Sequence, residues 1–101
     1  MKNKKEYRNA DWLDIDSAIA QVLKEMGALE KIIQAKIRKV WPDIVGKYAA
    51  ESTLEILYLK NKLYIKVDSP ALRQDMHMGR NMIKDNIYKQ IGVSVQEIIV
   101  Y

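Results

Sequence analysis

Four side chains able to carry positive charge recur at steps of four, three and four residues: Arg73, His77, Arg80 and Lys84. On one helix that spacing puts them on a single face. A row of cations with no nucleophile among them suits one kind of chemistry. It neutralises phosphates without regard to base sequence, with an affinity that falls steeply as salt rises. Lys36, Arg38 and Lys39 extend this capacity, and so do Lys2, Lys4, Lys5 and Arg8 near the N-terminus. Leaving His77 aside as a bystander on a basic face, these lysines and arginines are the candidate nucleic-acid contacts. The competing reading is a solvated helix face, which any soluble helix needs, and Asp75 and Asp85 dilute the row.

Catalysis has little to work with. The chain has no cysteine, which removes thiol nucleophiles, disulfides and Cys-based zinc sites together. Its one histidine, His77, cannot build a multi-His metal site. No nucleophile stands beside a base, and no glycine-rich loop is present to cradle a phosphate. The expectation is a protein that is not an enzyme and takes no cofactor, metal or small-molecule substrate. No apolar run is long enough to span a bilayer, and no apolar segment follows the basic start, so neither a membrane nor a secretory signal is expected. Absent cysteine fits the cytoplasm.

The net charge of +4 is unevenly spread. Residues 1–8 set four bases against Glu6, whereas residues 9–23 hold three acids and no base. Such asymmetry favours a polyanionic partner.

The elements that must position these groups follow from period and punctuation. Residues 1–10 lack any period and read as a flexible basic arm; residues 11–101 read as one domain. Ile15, Ile19, Val22, Leu23 and Met26 form a helical stripe, capped near Asp14 or Asp16 and ended by Gly27. A second helix spans Ala28 to Val45, with Leu29, Ile33, Ile37, Val40, Trp41 and Ile44 on one side. Pro42 predicts a kink or break there. Trp41 reads as a core anchor; Trp12 is either a staple against the first helix or a docking aromatic.

Leu54–Lys60 and Leu63–Asp68 read as strands joined at Asn61-Lys62. Ile56, Tyr58, Leu63, Ile65 and Val67 then share the core face. A third, longest helix begins at Ser69 and Pro70 and runs to Ile91, with Leu72, Met76, Gly79, Ile83, Ile87 and Ile91 inward. Met76, Met78 and Met82 read mainly as filler in a chain without Phe. A last strand, Val95–Tyr101, alternates again. The fold class is α+β, a two-layer helix-helix-strand-strand-helix-strand domain whose three-stranded sheet has helices on one face.

That architecture exposes a second candidate surface. Leu57, Leu59 and Tyr64, with Ile99 and Tyr101 if the last strand joins alongside, would form an apolar outer face rimmed by charge. The aliphatic majority favours a protein contact, including a second copy of the chain, over base stacking on the two tyrosines. The remaining reading is that the first helix or the arm folds over this face.

The element order, with Trp41, Ile44-Val45-Gly46, Ala49-Ala50, Ser52-Thr53, Leu63–Val67, Ser69, Asp75-Met76, Asn86 and Ile91-Gly92, resembles the DciA family of bacterial replicative-helicase recruiters. The resemblance covers roughly residues 28–101 and rests on packing residues and turn glycines. It implies a KH-like fold similar to the N-terminal domain of the replication initiator DnaA. It also implies DNA, single- or double-stranded, and the replicative helicase as partners. This chain departs from the family pattern at Asn61 and Lys62, where an acidic residue and glycine are common, and at Leu72, where a Trp is common. Longer members carry a flexible tail after the domain, whereas this sequence ends at Tyr101 with its last strand. It also lacks the Gly-x-x-Gly loop with which nucleic-acid-binding KH domains clamp a backbone. The function expected is a nucleic-acid-associated adaptor of replication; the alternative is a protein-interaction or dimerisation module that binds no nucleic acid.

Overall fold

A computed structural model describes residues 26–101. The expected arm (1–10) and nearly all of the expected first helix lie outside the described residues, as do Trp12, Lys2, Lys4, Lys5 and Arg8. The described elements run α1 (Ala28–Val45), α2 (Lys47–Glu51), β1 (Thr53–Leu59), β2 (Lys62–Val67), α3 (Pro70–Met78), α4 (Arg80–Ile91) and β3 (Glu97–Val100). Helices pack against a three-stranded mixed sheet ordered β1-β2-β3. β1 and β2 are antiparallel, and β3 runs parallel to β2. The partner of the last strand, open in the sequence, is therefore β2.

The hairpin turns one residue earlier than its sequence suggests. Lys60 and Asn61 are the turn, at φ 49° and 67°, and Ile56 faces Ile65 while Tyr58 faces Leu63. Two successive positive-φ residues match the right-handed strand twist that a two-residue turn must continue. Moving the turn by one residue moves each cross-strand partner by two, which conserves the face. Ile56, Tyr58, Leu63, Ile65 and Val67 are all buried in the main core, as expected.

α1 keeps its helical path through Pro42, so the expected break is absent. The ring is exposed, and the Pro42 carbonyl accepts from Gly46 N–H at 2.9 Å as the helix closes. Ile37 (0% exposed) and Trp41 (2%) hold this helix on the sheet. The Trp41 indole N–H donates to Thr53 Oγ1 at 2.9 Å, and the Thr53 hydroxyl donates to the Ala49 carbonyl at 2.8 Å. This links α1, α2 and β1 through one chain of satisfied polar groups. Leu29 does not join the stripe and is exposed.

The expected third helix is two helices. Ser69 Oγ accepts from Leu72 N–H at 3.3 Å and Pro70 opens α3, but the path breaks at Gly79. Leu72 and Met76 on α3, and Ile83 and Ile87 on α4, reach the same core. Each half thus finds its own seat, and the residue without a Cβ takes the bend. Met76 is core as read, whereas Met78 and Met82 are exposed, which corrects their reading as filler. Gly92, left-handed at φ 73°, ends α4, a conformation that costs any residue with a Cβ.

The outer face of the sheet corrects a second expectation. Leu57 (1%) and Tyr101 (4%) are buried, not exposed, and form a cluster with Met26. Leu59, Tyr64 and Ile99 pack on it half-buried. Alternation sets which residues share this face, but not what covers them.

Candidate nucleic-acid interface

The α1 cations are built outward from a buried anchor. Ile37 is fully buried, so its neighbours in sequence must turn away from the core. Lys36, Arg38 and Lys39 are all exposed. Lys36 and Lys39 enter no ion pair within the described residues; the one described pair is Lys62 with Glu97 at 3.6 Å.

Arg38 has a structural task as well. Its Nη2 donates to the Ile56 carbonyl at 3.2 Å. Gln34 Oε1 accepts from Tyr58 N–H at 3.1 Å, and Glu30 Oε2 from Lys60 N–H at 2.9 Å. Glu30, Gln34 and Arg38 are thus a ladder along the free edge of β1. Four residues of helix advance about 6 Å and two residues of strand about 6.8 Å, so successive rungs stay in step. The ladder occupies edge groups that would otherwise invite another strand. Sequence reasoning missed Glu30 and Gln34; the signal was a polar row at i, i+4 and i+8. An arginine carries five N–H donors, so the single bond of Arg38 leaves donors for a phosphate.

The α3–α4 row is brought together less well. Arg73 and His77 lie on α3, and Arg80 and Lys84 lie on α4 beyond the Gly79 break. The one-face arrangement that the spacing implied therefore does not extend along one helix. Arg80 Nη1 donates to the His77 carbonyl at 2.7 Å, and Lys84 Nζ donates to the Gln96 carbonyl at 2.9 Å. Arg73, Arg80 and Lys84 are half-buried and His77 is exposed.

A third feature was not anticipated. A groove of about 480 Å³ opens between the end of α1, α2 and the α3–α4 bend. Ile44, Leu72 and Met76 line it, and Tyr48 (72%) and Met82 (69%) expose most of their side chains beside it. Of the outer-face set read as a protein contact, Leu59, Tyr64 and Ile99 keep some exposure, while Leu57 and Tyr101 have almost none.

Among the described residues no group of His, Asp or Glu could hold a metal ion, and no helix is long and apolar enough to cross a membrane. What the geometry defines is an α+β domain of helices on a mixed sheet, with cations displayed on one helix and an apolar groove at the bend of two others. The chain belongs to the DciA family: the family model described as Dna[CI] antecedent, DciA, matches residues 14–100. Membership carries a replication-related adaptor role with helicase-related partners. No curated protein matches the chain.

Proposed function

We propose that this chain is a non-enzymatic adaptor of bacterial DNA replication that holds DNA by its phosphates and contacts the replicative helicase. The observation that carries the DNA half is the run Lys36, Arg38, Lys39, displayed on α1 around the buried Ile37. Nothing in that run selects a base, so binding is independent of sequence and can serve single or double strands. Arg73, Arg80, Lys84 and the N-terminal Lys2, Lys4, Lys5 and Arg8 add to the field. The likeness to KH domains and to the N-terminal domain of DnaA belongs to the same proposal. Its support is a three-stranded sheet backed by helices. Since the chain has no Gly-x-x-Gly, side chains must supply the phosphate contacts that a loop supplies elsewhere.

Fluorescence anisotropy with labelled single- and double-stranded oligonucleotides, across a salt series, tests this. The expected plot of log affinity against log salt is a falling line. Tight binding with a flat line would contradict phosphate contact.

A specific observation favours a second reading, a protein-interaction or dimerisation module without nucleic acid. The groove beside Tyr48 and Met82 leaves apolar surface in water, as interfaces do. Here the occupant is a second copy. Light scattering after size exclusion should then show a concentration-dependent dimer that Met82→Lys abolishes and Leu59→Lys leaves intact. A monomer at all concentrations removes this reading.

A further inference from the structure

We infer that the solvent-facing stripe of α1 docks a protein segment: an acidic, amphipathic helix laid along Leu29, Ile32, Lys36 and Lys39. These residues stand three, four and three apart on one unbroken helix, so they share one face. Leu29 is 69% and Ile32 52% exposed, and both lysines are exposed. A single apolar side chain at a surface is ordinary. Here two stand side by side. Among the exposed large apolar residues described, Leu29 and Ile32 alone lie three or four apart on one helix; Met78 and Met82 are four apart but on either side of the Gly79 bend.

The cations beside them are uncommitted. Lys36 and Lys39 enter no ion pair within the described residues. Arg38, between them in sequence, is turned to the Ile56 carbonyl on β1. The stripe ends at Asp43, an exposed acid four residues beyond Lys39, so its positive stretch is limited to Lys36 and Lys39.

This mixture decides the partner's chemistry. Phosphates would engage the lysines and leave Leu29 and Ile32 in water. A bilayer needs more apolar surface than two aliphatic side chains supply, since an interfacial helix sinks a whole face. A polypeptide helix with aliphatic residues at helical spacing and carboxylates beside them satisfies both halves at once. From Leu29 to Lys39 α1 advances about 15 Å, so about three turns of partner helix match it. The partner's aliphatic residues lie against Leu29 and Ile32, and its carboxylates against Lys36 and Lys39. These lysines also belong to the phosphate site proposed above, so the segment and DNA exclude each other; that exclusion alone rests on the phosphate reading.

The probe is a synthetic peptide of Leu, Ala and Glu, about 18 residues long so that it is helical alone, with Leu at steps of three and four and Glu on both flanks. Its scrambled sequence and polyglutamate are the controls. Isothermal titration calorimetry on the full chain should show saturable binding of the amphipathic peptide and much weaker binding of both controls. Leu29→Gln with Ile32→Gln should weaken the peptide about tenfold. It should leave DNA anisotropy and thermal unfolding as in the unsubstituted chain, because both side chains are exposed. Lys36→Glu with Lys39→Glu should weaken peptide and DNA together. No peptide binding up to about 1 mM, equal binding of polyglutamate, or peptide binding that Leu29→Gln with Ile32→Gln leaves unchanged overturns the inference. Recruitment to phosphatidylserine vesicles through the same two residues, without peptide binding, overturns it too and assigns the stripe to a lipid surface. An unsubstituted chain that binds the peptide but no DNA sinks the phosphate reading and leaves this inference standing.

Discussion

Two regions of this molecule carry clusters of cations on helices, and they behave differently. On α1 the run Lys36, Arg38, Lys39 sits on one unbroken helix, anchored by Ile37 and Trp41 and aligned by the Glu30–Gln34–Arg38 ladder. On α3 and α4 the row Arg73, His77, Arg80, Lys84 straddles the bend at Gly79, and two of its members donate to the protein's own carbonyls. Regular helical spacing in the α3–α4 row therefore did not give one continuous surface. A spacing argument holds only as far as the helix does; bonds to the protein's own carbonyls occur in both regions, at Arg38 on α1 and at Arg80 and Lys84 on α4, while Lys36 and Lys39 enter no ion pair within the described residues.

The largest test breaks the better region from beneath. Ile37→Ala should lower stability by about 2–5 kcal/mol, the range for emptying a well-packed aliphatic site. Because Ile37 seats the whole run, DNA binding should fall with stability. Denaturant unfolding and anisotropy on one sample measure both; a stable variant that no longer binds would show that α1 is not held as described.

A smaller change sharpens the contrast from the other side. Arg80→Gln with Lys84→Gln removes two charged donors from backbone carbonyls and should lower stability by about 1 kcal/mol in total, given their partial exposure. DNA affinity at moderate salt should fall less than for loss of the α1 lysines. A loss several times greater would make the α3–α4 row the main site.

The mildest test concerns how the first half of α1 meets β1. Burial, and then the nearby Glu30 carboxylate, raise the Tyr58 hydroxyl above the ordinary tyrosine value of 10.0. A proton held more tightly in the folded chain stabilises fully below the unfolded value. That contribution fades as pH climbs through the folded one, so stability should decline from about pH 10 upward. Tyr58→Phe should flatten that decline. It should also lower stability at neutral pH by about 0.5–1 kcal/mol, since the hydroxyl donates to Asn61 Oδ1 at 3.0 Å. Unfolding curves at pH 7 and through the alkaline range check both effects; an unchanged alkaline slope would place Tyr58 in a wetter site.

What was legible in the sequence was what periodicity controls. The inner face of the hairpin came through intact even though the turn moved, because a shift of two residues keeps the parity of Ile56, Tyr58, Leu63 and Ile65. The α1 stripe around Ile37 and Trp41 came through for the same kind of reason. The bend at Gly79 was hidden because the apolar spacing runs straight through it: Met76, Gly79 and Ile83 sit three and four apart on either reading. The role of Glu30 and Gln34 was hidden because it depends on β1 being the free edge. That in turn depends on β3 pairing with β2, a long-range choice with no local signal. The burial of Leu57 and Tyr101 was hidden because alternation assigns a face without naming its cover.

The central claim is that α1, more than α3 and α4, holds the phosphates. The measurement that tests it most directly is the salt slope of DNA binding for wild type, Lys36→Glu with Lys39→Glu, and Arg80→Gln with Lys84→Gln. Each phosphate contact contributes about 0.9 to that slope on duplex DNA. The α1 variant should lose about 1–2 from the slope, with stability changed by less than about 0.5 kcal/mol, while the α4 variant keeps most of its slope. An α1 variant with the wild-type slope and affinity would contradict the account.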